Sequence, residues 1–249
     1  GVIAMTKVSA PGLATYNDAF NTFGLPYIFN DTDDFYHVMD SQEMQDFFLS
    51  TGDDGFVTLT YYTSGARSFY TKDRAIRTPA DLKGLKIRVQ DMKSQTDMMS
   101  YLGGIPVAMS YGDVYTSLQT GAVDALEGTL DSIVTYKYYE QADYIIETAH
   151  TYQPLFMFYN KANFSSLNAD TQALIREGLA YAEGIQLELW AENNATQRAF
   201  LEENGMTFIS LEDRDEWVKA VDATSREYCE SCGELGMKVY ETINAIAAE

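Results

Sequence analysis

The chain has 249 residues, 46% of them hydrophobic, so it can bury one large core or two smaller ones. With 17 Lys and Arg against 37 Asp and Glu, its formal net charge is −20. This charge repels phosphates and anionic lipids, which excludes nucleic acid and membrane surfaces as general partners. The sequence contains no run of about 18 apolar residues, the length needed to span a bilayer. The opening GVIAMTKVSA lacks the basic and apolar regions of a signal peptide.

The first third of the chain predicts strands and helices in alternation. Residues 2–8 predict a strand, and a helix is expected from Asp31-Thr32 toward Leu49. The turn cluster TGDDG (51–55) and the β-branched and aromatic run FVTLTYY (56–62) then predict a turn and a second strand. Because the chain opens on a strand, we expect upstream sequence to be missing; a short N-terminal strand is the alternative.

The middle of the chain has a βαβ rhythm. A short helix at 78–84 precedes the strand LKIRV (85–89), a helix at 93–102, the strand IPVAM and a helix at 111–120. AVDALEG then predicts a short strand, followed by a helix at 131–140 and the strands YIIET and PLFMFYN. The rhythm favours a mostly parallel sheet.

Two long helical patterns complete the chain. Residues 168–204 would form a helix on the order of 55 Å long, which must either kink or cross two lobes, with 192–194 as the weakest point. The strand MTFIS follows, and then an amphipathic helix over 213–248. Its core candidates are Trp217, Val221, Met237, Tyr240 and Ile243.

The acidic chain contains one basic stretch. Eight of its 17 Lys and Arg residues lie between Arg67 and Lys93, and a solvated face explains most of them. Arg88 differs because it ends a short strand, where ligands of open α/β sheets bind in the crevice. Its planar guanidinium can donate two parallel hydrogen bonds to a carboxylate, which lysine cannot do. Arg88 is therefore the candidate anion-binding residue.

Other candidate groups are fewer. Tyr111 and Tyr115 lie four apart at a helix start, and Tyr111 can either wall a pocket or pack in the core. Cys229 and Cys232 form a CESC pair without a second pair or a nearby His, so we expect free thiols rather than a zinc site or a redox pair. No metal and no cofactor is predicted.

Together, RTPADLKGLKIRV and YLGGIPVAMSYGDVYTSLQTGAVDALEG closely resemble the DctP-type substrate-binding proteins of tripartite ATP-independent periplasmic (TRAP) transporters. The resemblance extends over GVIAMTKVSA, FGLPYIFND and the long helix after KANFSSL, nearly the whole chain. It implies a two-lobed, periplasmic-binding-protein-like α/β fold, each lobe a mostly parallel sheet flanked by helices, with a long helix spanning both lobes. Lobe I would comprise 1–64 and 153–193, without its N-terminal strands, and lobe II would comprise 65–152 and 194–249.

The resemblance also implies site residues. Arg88 matches the carboxylate-clamping arginine of the family, Arg67 a second arginine, and Tyr111 an aromatic position. Gly128 stands where many relatives place a ligand-binding asparagine, so that contact is absent here. The further expected ligand-binding positions are Ser9, Glu127, His150, Tyr152 and Gln153.

By the same resemblance, we expect a monomeric solute-binding protein that is periplasmic or extracytoplasmic, with a lipoprotein anchor as one option. It would capture a small organic acid and deliver it to TRAP membrane subunits. One alternative is a sensing module for organic acids, which would be expected to carry a transmembrane helix or a signalling domain. Another is a carboxylate-processing enzyme, which the sequence supports little: it has no HExxH, GxSxG, GxGxxG or P-loop pattern and only two histidines, His37 and His150.

Overall fold

Two β-sheets organise the chain, and a computed structural model describes them over residues 2–247. The smaller sheet contains β1 (Met5–Ser9), β8 (Leu155–Asn160) and β2 (Phe56–Tyr62) in that order. The larger sheet has the order β5 (Ile105–Ala108), β4 (Lys86–Val89), β6 (Ala125–Gly128), β3 (Ala66–Thr71), β7 (Tyr144–Tyr152) and β9 (Thr207–Ser210). The β4–β5, β4–β6 and β7–β9 pairs are parallel, whereas β3 is antiparallel to both of its neighbours.

An aromatic core covers one face of the smaller sheet. Helices α1 (Thr32–Met39) and α2 (Gln42–Ser50) and a 3-10 segment at Asp18–Gly24 contribute to it. Phe20 and Phe23 from that segment meet Phe156 of β8 edge to face, at ring-centroid distances of 5.8 and 5.5 Å. Such contacts add to the large apolar area that each ring buries.

Helices flank the larger sheet on both faces. They are α3 (Lys93–Tyr101), α4 (Tyr111–Thr120), α5 (Leu130–Thr135) and α8 (Arg214–Ser231). Trp217 of α8 is fully buried against Phe69 of β3, whereas Val114 and Leu118 of α4 pack in a second cluster with Tyr70. The alternation of Phe69 and Tyr70 between the two clusters follows from the two-residue period of a strand.

Two short segments connect the sheets. Residues 63–65 lead from β2 to β3, and residues 153–154 lead from β7 back to β8. After α6 (Lys161–Ser165), the 35-residue helix α7 (Ala169–Glu203) runs along both sheets. Gln186 binds the backbone of Thr63, and Gln197 donates to Asp131 of α5 at 3.0 Å.

The mixed α/β architecture and the long helix are confirmed. In the smaller sheet, however, both strand pairs are antiparallel rather than parallel, because β8 returns from the larger sheet and runs between β1 and β2. Strand β1 begins at Met5, later than the predicted 2–8, and the helix expected from Asp31 to Leu49 is two helices. The break occurs because Ser41 is an N-cap, accepting from the Met44 amide at 3.2 Å.

Three further differences separate the observed elements from the predicted ones. Strand β3 was not predicted, and α7 continues through 192–194 without the expected weak point. The predicted helix over 213–248 divides into α8 and α9 (Gly233–Ile246), because Gly233 adopts a left-handed conformation at φ +78°. Ala248 lies outside the described residues.

The predicted lobe boundaries stay a prediction. The strands of the smaller sheet lie within 1–64 and 153–193, and those of the larger sheet within 65–152 and 194–249. However, Tyr228, Val239 and Ile243 pack in the core of the smaller sheet. That packing favours assigning the end of the chain to lobe I rather than to lobe II. Within residues 2–247, no helix combines the length and apolar character needed to cross a bilayer.

Candidate functional site

A cavity of about 440 Å³ lies where the two sheets face each other. Both sheets, both connecting segments and α7 contribute to its walls. Its polar and aromatic lining includes Lys7, Ser9, Tyr62, Thr63, Ser64, Arg67, Gln90, Tyr111, Thr129, Gln153, Gln186 and Trp190. A volume of this size suits a small organic molecule.

A buried ion pair forms one wall of this cleft. Arg67 Nε and Nη2 donate to the two carboxylate oxygens of Glu127 at 2.6 and 2.8 Å. The pair forms because β3 and β6 are adjacent and antiparallel, with Phe69 opposite Glu127. Burial alone would raise the pKa of Glu127, but the Arg67 guanidinium outweighs it and holds that pKa below its usual value. Glu127 is therefore ionised and neutralises Arg67.

Arg88 has no such counter-ion. Its side chain is 1% exposed, and its Nε and Nη2 donate to the Met109 carbonyl at 3.1 and 2.8 Å. Nη1 is buried without a hydrogen-bond partner, and the Tyr111 ring lies over the guanidinium with its centroid 4.6 Å from Cζ. Among the described residues, no carboxylate lies within ion-pair distance of Arg88.

His150 completes the buried cluster as a neutral group. A bulge in β7, with Ala149 at φ +42°, displaces the strand between its pairings with Phe69 and Arg67 and directs His150 toward Glu127. His150 Nε2 lies 3.9 Å from Glu127 Oε2. Burial lowers the pKa of His150 to about 4, despite the nearby Glu127 carboxylate, so the imidazole is uncharged at pH 7.

The predicted site residues divide into two layers. Ser9, Arg67, Tyr111 and Gln153 line the cleft, whereas Arg88, Glu127 and His150 lie buried beside it. Glu127 faces Arg67 rather than the cavity.

Two predicted positions do not reach the cavity. The Tyr152 ring packs in the aromatic core, stacked on Phe35 at 6.0 Å. A Cβ at Gly128 would lie 2.9 Å from Ser132 Oγ, so the structure has no room for a larger side chain there without a shift.

Sequence reasoning missed the contribution of α7. Gln186 and Trp190 are four residues apart, which places them on one face of the helix. Gln186 accepts from the Thr63 amide at 3.1 Å and donates to the Thr63 carbonyl at 3.0 Å. The indole of Trp190 packs over Gly65. The four-residue spacing of Gln186 and Trp190 is the sequence signal that places both side chains on one face of the helix.

A larger cavity of about 730 Å³ borders α7 and shares Tyr62, Gln186 and Trp190 with the cleft. Exposed apolar side chains such as Tyr181, Ile185 and Leu189 dominate its lining, and none of its described lining residues is a cation. The electrostatics therefore favour the cleft between the sheets as the anion site.

Comparison with known proteins identifies the family. The profile of bacterial extracellular solute-binding protein family 7, DctP, matches residues 1–231. A solute-binding protein from Chromohalobacter salexigens is 31% identical over 220 residues, covering 85% of this chain and 66% of the relative.

Two solved structures are similar along nearly the entire chain. One is a TRAP periplasmic solute-binding protein from Chromohalobacter salexigens with bound D-glucuronate, with a TM-score of 0.93 and 27% identity, covering 99% of this chain and 81% of that one. The other, from Anaerococcus prevotii with bound α/β-D-glucuronate, has a TM-score of 0.91 and 32% identity, covering 99% and 80%.

The chain thus spans 66% of the length of the Chromohalobacter salexigens solute-binding protein that is 31% identical to it, slightly under two thirds. The predicted family resemblance is confirmed, and because the family consists of solute-binding proteins, it does not support the enzyme alternative. The chain belongs to the DctP family, family 7 of the bacterial extracellular solute-binding proteins.

Proposed function

We propose that the protein captures a hexuronate-type sugar acid in the cleft between its two sheets, with Arg88 and Arg67 binding the carboxylate. The charge of the buried cluster carries this proposal. Two guanidinium groups, one carboxylate and a neutral imidazole leave a net charge of +1. A buried charge without a counter-ion is costly, and a ligand carboxylate would neutralise it.

The two arginines have different roles in this proposal. Arg67 lines the cavity, but its Nε and Nη2 are committed to Glu127, so it supplies its remaining N–H groups. Arg88 supplies the uncompensated charge and the unpartnered Nη1. Because the Tyr111 ring covers Arg88, ligand binding includes a shift of that ring.

The relatives support the choice of ligand class. Both solved structures described above contain glucuronate, and the polar lining of the cleft suits a hydroxylated acid better than an apolar one. In the periplasm, as a monomer, the loaded protein would deliver its ligand to the membrane subunits of a TRAP transporter. Family membership supports this last step.

Calorimetric titration tests the arginine assignment. The parent, Arg88→Met and Arg88→Lys are titrated with D-glucuronate, D-galacturonate and succinate. Arg77→Lys is the matched control, because Arg77 is an exposed arginine that pairs with Glu212 on the surface. Removing the buried charge contact should weaken binding by about 30-fold to several thousandfold. Arg88→Lys should also lose affinity because it loses the planar pair of donors.

Two results would contradict the proposal. If the parent bound none of the acids, capture of this ligand class would be wrong. If Arg88→Met bound as tightly as Arg77→Lys, the carboxylate would be held elsewhere.

A further inference from the structure

Two buried hydrogen-bond donors in the cleft have no protein partner within residues 2–247. Gln153 is 2% exposed, and its Nε2 is unpartnered. The indole Nε1 of Trp190 is likewise buried and unpartnered. Both side chains line the cleft. A buried donor without an acceptor loses its water hydrogen bonds uncompensated, so both positions favour an acceptor from a ligand.

The segment that joins β2 to β3 contacts both of these residues. Ser64 Oγ donates to the Gln153 carbonyl at 3.2 Å, which fixes the backbone of Gln153 beside this segment. The next residue, Gly65, faces the indole so closely that a Cβ there would lie 2.7 Å from Trp190 Nε1. The backbone of Gln153 and the indole of Trp190 therefore contact consecutive residues, Ser64 and Gly65, of one connection.

Helix α7 holds the indole in this place. Gln186, one turn before Trp190, forms two hydrogen bonds with the backbone of Thr63, the residue before Ser64. Trp190 thus packs on a segment to which its own helix is anchored, and Gly65, at φ +72°, leaves the space that the indole fills. The hydrogen bonds of Gln186 and the packing on Gly65 therefore fix the position of Trp190 in the wall of the cleft.

We propose that Gln153 and Trp190 form a hydroxyl-binding subsite that selects polyhydroxylated acids over plain carboxylic acids. The inference rests on the proposed function, since Arg88 and Arg67 engage the carboxylate. A neutral N–H donor matches the oxygen of a neutral hydroxyl group. A ligand without hydroxyl groups leaves both donors buried and unpartnered, and a binding site built for hydroxyl groups discriminates against such a ligand.

Paired ligands and paired variants test the subsite in the purified full chain. D-Glucuronate is compared with cyclohexanecarboxylate, which has a carboxylate on a six-membered ring and no hydroxyl groups. Trp190→Phe removes the N–H and keeps an aromatic ring, and Gln153→Met removes the amide at similar size. Trp217→Phe is the matched control, because Trp217 Nε1 is also buried and unpartnered but lies in the core of the larger sheet.

Trp190→Phe and Gln153→Met should each weaken D-glucuronate binding by about 2- to 12-fold, the value of one neutral hydrogen bond. Binding of cyclohexanecarboxylate should stay unchanged, and Trp217→Phe should match the parent. The subsite is refuted if Trp190→Phe and Gln153→Met bind D-glucuronate as Trp217→Phe does, or if they lose the same factor for both acids. A parent that binds neither acid would instead overturn the proposed function.

Discussion

Replacing Glu127 with glutamine separates the stability of the buried cluster from its affinity for an anion. The substitution removes the only carboxylate that pairs with Arg67 within the described residues and leaves two guanidinium groups in a fully buried site. Breaking a buried ion pair from one side costs about 3–5 kcal/mol. For a domain of this size, that corresponds to a fall in Tm of about 6–20 °C. A ligand carboxylate, in contrast, should become more stabilising because the cluster charge rises from +1 to +2.

Thermal unfolding with and without D-glucuronate measures both effects. Glu147→Gln is the matched control, since Glu147 pairs with Arg198 at a half-exposed position where an ion pair is worth at most about 1 kcal/mol. We expect Glu127→Gln to melt well below this control and to gain more from ligand than the parent does. Equal Tm values for the two variants would show that the Arg67–Glu127 pair does not stabilise the fold. A smaller ligand gain than in the parent would refute the charge argument.

Three further expectations concern single groups. Burial lowers the pKa of His150 from 6.5 to about 4. Between these pH values, the His150 imidazole therefore binds more protons in the unfolded chain than in the folded one. The free energy of unfolding should fall by about 3 kcal/mol as pH drops from 6.5 to 4. His150→Gln should flatten this part of a denaturant-derived stability profile, and an unchanged slope would contradict it. Burial, followed by the Asp40 charge, raises the pKa of Glu183 from 4.5 to about 7. Its contribution to the free energy of unfolding is therefore lost as pH rises from 4.5 through 7. Glu183→Gln should raise Tm at pH 8 and change it little at pH 4.5. Gly65→Ala should destabilise by about 1–3 kcal/mol because of its positive φ and its contact with the Trp190 indole. Urea titration measures this loss, with the helical Gly178→Ala as the control: it has open space around its Cβ and should instead stabilise the protein by about 0.5–1 kcal/mol.

Local patterns were enough to predict most of the fold. The β-branched and aromatic run at 56–62 and the helical pattern at 111–120 predicted β2 and α4 because the signal and the cause lie in the same few residues. Strand β3 was missed for the opposite reason. Its sequence, ARSFYT, has an arginine as its second residue and no clear alternation, since both of its faces are buried in the middle of the larger sheet.

The sequence pattern identifies the basic stretch, but it does not show how Arg67 and Arg88 differ in their roles. Arg67 and Arg88 have the same chemistry, and only the pairing of β3 with β6 brings Glu127 onto Arg67 and leaves Arg88 without a carboxylate. That pairing joins residues 60 positions apart. The neutral state of His150 depends on a bulge in β7, which no local motif encodes.

The continuity of α7 constrains how the two sheets can move. Gln186 and Gln197 are separated by about three helical turns and therefore lie on the same face, and they bind Thr63 and Asp131 respectively. Asn193 and Asn194, between them, cost the helix only a few tenths of a kcal/mol each, so anchoring on both sides keeps it unbroken. A change in the angle between the sheets would therefore strain these contacts. Gln186 forms two hydrogen bonds with Thr63 and Gln197 forms one with Asp131, so we expect such a change to separate α7 from α5 before it separates α7 from the 63–65 connection.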